Sequence, residues 1–157
     1  VGSFAIDETE QRARAMPEWA CVSFDGWASR QEVAEVLGSS RMGLVVLKPV
    51  EHEMLTLPIK LFEYMAAGLP VIATDCPLWR SIVDGAGCGL LVDPLDVDAI
   101  AGAMTWLIEH PEEAQAMGES GRRAVETEYN WDPEAETLIE FYRQQLGVGG
   151  GPSNVSR

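Results

Sequence analysis

A short run of uninterrupted apolar residues, Met42–Leu47 (MGLVVL), limits more than any other feature how this 157-residue chain can fold. A strand with one wet face alternates polar and apolar positions. A run with no polar position needs cover on both faces, as inside a parallel sheet layered by helices. A second such run, Pro70–Thr74, follows the segment PIKLFEYMAAGL (58–69), and a third, Leu90–Val92, follows a short helical stretch at Trp79–Val83. Apolar runs alternating with helical segments indicate βαβ units, hence an α/β fold with a Rossmann-like, doubly wound parallel sheet.

The flanking segments extend this pattern. Val1–Ala5 reads as the tail of a strand, Glu8–Met16 as a polar helix ended by Pro17, and Ala20–Phe24 as a strand closed by Asp25-Gly26. Arg30–Leu37 puts Val33, Val36 and Leu37 on one helical stripe. Glycines 85, 87 and 89 read as a loop. From Asp96 the chain reads as helical, over Asp98–Glu109, Glu112–Glu128 and Pro133–Leu146, making a helical C-terminal section. The tail 147–157 (GVGGGPSNVSR) is Gly-rich and expected to be disordered. Ligands of such sheets bind where loops leave the carboxyl ends of the strands. Here those loops are Gly26-Trp27-Ala28, Lys48–Leu57 and Asp75–Leu78.

Composition narrows the partners. A net charge of −14 opposes nucleic acid and a polybasic grip on anionic lipid. No run of about 20 apolar residues offers a transmembrane segment. Cys21, Cys76 and Cys88 lie far apart without metal or disulfide spacing, which suggests reduced thiols and a cytoplasmic protein. Cys21, within an apolar run, is expected in the core, and Cys76 and Cys88 in loops. His52 and His110 are isolated and expected to face solvent, so no metal site is anticipated. The only two lysines, Lys48 and Lys60, bracket one loop.

The segment 58–69 concentrates the chemistry. Ten of its twelve residues are uncharged and surround the helical wheel, so the helix is expected to be buried. Lys60 and Glu63, three apart, share a face that small Ala67 continues. Pro58 suits the first turn and Gly68 the C-terminal cap. The helix N-terminus offers amide N–H groups and partial positive charge to a phosphate. Leu55, Thr56 and Leu57 can add N–H groups, the Thr56 hydroxyl can cap or donate, and Glu63 can accept from a vicinal diol such as a ribose. Spacing alone leaves open whether Lys60 and Glu63 instead pair with each other.

The run PIKLFEYMAAGLPVIATD (58–75) closely resembles the signature of bacterial GT-B glycosyltransferases of the group 1, family 4-like, retaining type. Their P-x-K-x-x-E-Y-M-A-x-G-x-P-V-I segment follows a phosphate-binding loop. The resemblance continues through VSFDGWASRQEVAEVLGSSRMGLVVLKP (22–49), GCGLLVDPLDVDAIAGAM (87–104) and HPEEAQAMGESGRRAVETEYNW (110–131). It covers residues 1–146, implying a partial nucleotide-sugar-binding domain, the C-terminal half of a GT-B fold truncated at its N-terminus.

By this resemblance the chain is a donor-binding part that takes a UDP- or GDP-sugar as donor substrate, with no cofactor and no metal. The acceptor would be a glycan or lipid-linked, met through an N-terminal domain, with peripheral association at the inner face of the membrane. Glu63 would hold the donor ribose, Leu55-Thr56-Leu57 would cradle the diphosphate, and Lys60 would lie near the phosphates. Gly26-Trp27-Ala28 would meet the nucleobase, with Trp27 stacking on it or serving packing alone. Trp131 is expected to plug the joint before the last helix, and that helix to show an exposed apolar patch. Arg80 is expected in a surface ion pair, and Arg122-Arg123 on a solvated helix face.

Two departures qualify this. Leu55 stands eight positions before Glu63, where the family motif has a first Glu that contacts the donor sugar; Glu51 and Glu53 have the wrong spacing. The family's Gly-Arg…Lys segment, whose cations neutralise the leaving diphosphate, has no counterpart, so the catalytic residues are unknown and the piece alone is expected to be inactive. A nucleotide-sugar epimerase of the same architecture and a non-catalytic nucleotide-sugar-binding module are the competing readings.

Overall fold

The computed structural model describes residues 3–48 and 56–146, which fall into two compact units, one up to Ser40 and one from Arg41. The tail 147–157 and the loop residues 49–55 lie outside the described residues.

The first unit comprises α1 (Asp7–Arg14), a 3-10 turn (Pro17–Cys21) and α2 (Arg30–Ser39). Of the strand expected at Val1–Ala5, residues 1 and 2 lie outside the described residues and residues 3–5 form no strand, nor does the strand expected at Ala20–Phe24 form. Pro17 stands in the first turn of the 3-10 segment, which runs through Cys21 and takes up the start of the expected strand. The aromatic residues gather locally instead: Phe4 lies 5.4 Å from Phe24 and 6.2 Å from Trp19, centroid to centroid. The Arg14 guanidinium covers Trp19 at 5.1 Å while pairing with Glu10. Cys21 is exposed, contrary to expectation, because the turn directs Trp19 rather than Cys21 into this cluster. A capping box starts α2: the Glu32 N–H donates to the Ser29 hydroxyl, and the Ser29 N–H donates to the Glu32 carboxylate at 2.7 Å.

The second unit is the expected α/β layer structure. Strands β1 (Gly43–Val45), β2 (Val71–Thr74) and β3 (Gly89–Val92) pair in parallel in the order β1-β2-β3. Val71 lies opposite both Gly43 and Gly89. Helices α3 (Ile59–Ala66), α4 (Pro77–Ala86), α5 (Val97–Glu109), α6 (Pro111–Thr127) and α7 (Trp131–Leu146) follow in turn.

Strand alternation divides the core. Val45, Val71 and Ala73 pack with Leu61 and Met65 of α3 and with Trp79, Ile82 and Val83 of α4. Ile72 and Val92 face the other way, onto Leu107 and Ala114 with Ile100, Met104 and Trp106 alongside. Helices therefore cover both faces, as a doubly wound sheet requires. The strand buried on both faces is β2, not the run at 42–47: Leu44 is 38% exposed, since β1 has a pairing partner on one side only among the described residues.

Cap chemistry sets several boundaries. Gly68 (φ +73°) follows α3 in a left-handed turn that a side chain would strain. The Gly68 N–H donates to Met65 O and the Leu69 N–H to Tyr64 O, a Schellman closure. Gly87 (φ +59°) ends α4 in the same way, so the glycines at 85–89 split between helix end, turn and the start of β3 instead of forming a loop. That extends α4 well beyond Trp79–Val83. The Asp96 carboxylate caps α5 by accepting from the Ala99 N–H.

Candidate functional site

The loops after β1 and β2 leave the same carboxyl edge of the sheet, and each leads directly into a helix, α3 or α4. At α3 the N-cap is Pro58 in an extended conformation, so the helix starts at Ile59, one residue later than expected. No side chain caps it, and Thr56 is not its capping residue. The Leu61 N–H donates to Pro58 O at 3.0 Å, while the amides of Ile59 and Lys60 precede any intrahelical acceptor.

α3 is one-sided instead of buried all round. Leu61 and Met65 are fully enclosed, whereas Lys60, Glu63, Ala66 and Ala67 are exposed and Ile59 is 76% exposed. The helix lies against one face of the sheet, and its outer face carries the cation, the carboxylate and two alanines. No ion pair joins Lys60 to Glu63 among the described residues. Leu57 is half exposed, and Leu55 lies outside the described residues together with Glu51, His52 and Glu53.

Two side chains from the neighbouring segment fix the ends of this connection. The buried Thr74 hydroxyl accepts from the Leu47 N–H at 2.9 Å and donates to Leu47 O at 3.0 Å, holding the chain as it leaves β1. The Trp79 indole N–H donates to Thr56 O at 2.8 Å, holding it as it enters α3. A polar residue closing the apolar strand VIAT was the sequence signal for Thr74. Trp79 was recognisable only as the start of a short helix. Next to it, Arg80 pairs with Asp75 at the surface, as expected, and Arg122 lies on the expected solvated face of α6, where it pairs with Glu126.

In the first unit, Gly26 adopts φ +64° and presents Trp27 with 86% of its surface exposed. Trp27 lines a shallow groove of about 380 Å³ with Asp25, Ala28, Glu32, Glu35, Val36 and Ser39. Three carboxylates there disfavour an anion. The hydrogen bonds from Ser29 hold the Glu32 carboxyl below the usual carboxylate range.

Several other expectations are corrected. Cys76 and Cys88 lie on connections between helix and strand, as expected, but are buried in the core, and burial pushes the Cys88 thiol up to about 11, so it is no nucleophile near neutral pH. His110 is half-buried between α5 and α6, stacked on Trp106 at 4.4 Å with Nδ1 2.8 Å from Trp106 O. Trp131 is 69% exposed, because the joint is filled by Tyr129, which packs on Phe62 at 5.5 Å. The apolar patch expected on α7 is present, through Leu138, Ile139, Phe141, Tyr142 and Leu146. Among the described residues no group of His, Cys, Asp or Glu is arranged to hold a metal, and no helix is long and apolar enough to cross a membrane.

The family model "Glycosyl transferases group 1" matches residues 7–124, three-quarters of the chain. The chain belongs to the group 1 glycosyl transferases. The MMP alpha-(1->4)-mannosyltransferase of Mycolicibacterium hassiacum is 29% identical over 119 residues, 75% of this chain and 28% of that protein. A GDP-mannose-dependent alpha-(1-6)-phosphatidylinositol monomannoside mannosyltransferase of Mycobacterium tuberculosis is 38% identical over 87 residues, 55% of this chain and 23% of that protein. The solved sucrose-phosphate synthase of Thermosynechococcus elongatus superposes with a TM-score of 0.76 at 26% identity, over 91% of this chain and 35% of that one. The chain thus spans about a quarter of the length of the curated relatives it matches. The fold expected of the GT-B type is the fold found.

Proposed function

We propose that this group 1 glycosyl transferase chain binds the nucleoside-diphosphate sugar from which its parent protein transfers a sugar to a glycan or lipid-linked acceptor. The observation that carries the proposal is the outer face of α3. The amides of Ile59 and Lys60 have no intrahelical acceptor, and Lys60 and Glu63 lie exposed with no ion pair between them among the described residues. Amides and the helix dipole suit a diphosphate. Lys60 adds a cation near it, and Glu63, a turn further along, accepts from the two ribose hydroxyls.

Within the first unit, exposed Trp27 offers an aromatic surface suited to a base, and the three carboxylates around it disfavour a phosphate there. The backbone of Thr56 and Leu57 completes the cradle, and Leu55 lies outside the described residues. No cofactor or metal is invoked, since Lys60 and backbone N–H groups supply the positive field. The GDP-mannose dependence of mannosyltransferase relatives favours a GDP-linked hexose over a UDP-linked one. They also favour an acceptor of the phosphoinositide or glycan kind, which would bring the parent to the inner face of the membrane.

Calorimetric titration with GDP, UDP, GDP-mannose and UDP-glucose tests this. Micromolar to millimolar binding is expected, reduced about tenfold in Lys60→Ala, the size of one charge-assisted hydrogen bond. No heat with any of the four ligands would refute the proposal.

A further inference from the structure

We propose that Trp79 is a positioning residue for the donor's diphosphate, acting through the Thr56 carbonyl without touching the ligand. The inference rests on the donor-binding reading above and adds a residue that reading does not contain. Trp79 is 0% exposed, and its neighbours Ile82 and Val83 on α4 pack by apolar bulk alone. The indole N–H is a donor only, and it reaches a carbonyl 23 residues earlier in the chain.

That bond orients more than one atom. A trans peptide unit is planar, with its C=O and N–H pointing in opposite directions. The Thr56 carbonyl and the Leu57 N–H belong to the same unit, and the described residues contain no cis peptide bond. With the carbonyl turned in to the enclosed indole, the Leu57 N–H is turned out, away from α4. Pro58 has no N–H, so Leu57 carries the one amide donor between Thr56 and the first turn of α3. Trp79 therefore sets the direction of the donor nearest the α3 N-terminus. Thr74 performs the matching task at Leu47, where the connection begins.

Trp79→Phe keeps an aromatic ring and most of the apolar bulk and removes the N–H. Binding of GDP and UDP to the whole chain would be compared with binding of guanosine and uridine, the weaker nucleosides being followed by ligand-observed NMR. The expected result is a loss of roughly five- to tenfold in diphosphate affinity, the size of one hydrogen bond, with nucleoside affinity unchanged. A purely structural tryptophan would lower the melting temperature and leave the ratio of the two affinities at its parental value, which would overturn the inference. Should Trp79→Phe fail to fold, Leu57→Pro removes the amide itself at a half-exposed position. Selective loss of diphosphate affinity in that variant supports the inference, and unchanged affinity overturns it. A parent chain that binds neither diphosphate refutes the donor-binding reading, whereas a parent that binds with a variant that matches it refutes the role of Trp79 alone.

Discussion

An alanine methyl at position 118 would have to occupy the place of the Gly68 carbonyl oxygen. Gly118 lies buried on α6, whose small residues Ala114, Gly118 and Gly121 let the helix settle onto the turn after α3 and onto Cys88. The obstacle is backbone. The Gly68 peptide is held by the turn that ends α3 and leads into β2, so it cannot rotate away as a flexible side chain would. Overpacking of this kind costs up to about 3 kcal/mol, and alanine returns about 1 kcal/mol of helix propensity. The expected net loss is about 2 kcal/mol, or roughly 4–8 °C in Tm for a chain of this length. Gly102 provides the control: it sits within α5, exposed, and a Cβ there meets nothing within 4 Å. Gly102→Ala should gain about 0.5–1 kcal/mol. Urea unfolding of the parent and both variants, followed by circular dichroism, measures the two signs together. A Gly118→Ala variant as stable as the parent would refute the seating of α6 on the α3 turn.

Along α3, Leu61→Ala should cost about 2–5 kcal/mol, whereas Ile59→Ala should stay within about 0.5 kcal/mol; equal effects in urea titrations would contradict the one-sided burial of the helix. The Cys88 thiol is raised from 9.0 to about 11 in the folded chain. Its stabilising contribution is complete below pH 9 and is lost as pH rises toward 11, because only the unfolded state ionises in that window. Between pH 9 and 11 the parent's urea midpoint should therefore fall more steeply than that of Cys88→Ala, and parallel slopes would count against the shift. Thiol labelling of the native protein should be fast at exposed Cys21 and slow at buried Cys76 and Cys88, with mass spectrometry reporting which site is modified.

The layered α/β fold was legible from residue 42 onward because strand and helix periods there match the buried surface. MGLVVL, PVIAT and the stripe through Leu61 and Met65 each have a face that only a covered sheet can bury. The first 40 residues were not, because Trp19, Cys21, Val22 and Phe24 look strand-like while Pro17 starts a 3-10 turn and local aromatic packing takes over. Glycine was similarly ambiguous: Gly85, Gly87 and Gly89 resemble a loop in sequence, yet only Gly87 adopts a left-handed conformation. In the candidate site, Lys60 and Glu63 were recoverable because i,i+3 spacing puts them on one face whatever the helix packs against. Trp79 and Thr74 were not, since each acts through a hydrogen bond to a residue more than twenty positions away.

In the proposed donor site the exposed carboxylate of Glu63 accepts from the ribose hydroxyls of a nucleoside diphosphate seated at the start of α3. A binding cycle of GDP and 2′,3′-dideoxy-GDP against the parent and Glu63→Gln isolates that contact. In the parent, loss of both hydroxyls should weaken binding about tenfold or more, as expected for hydrogen bonds to a charged acceptor. In Glu63→Gln most of that difference should vanish, while the fold, with Glu63 exposed, stays intact. A hydroxyl contribution of equal size in both proteins would contradict the claim.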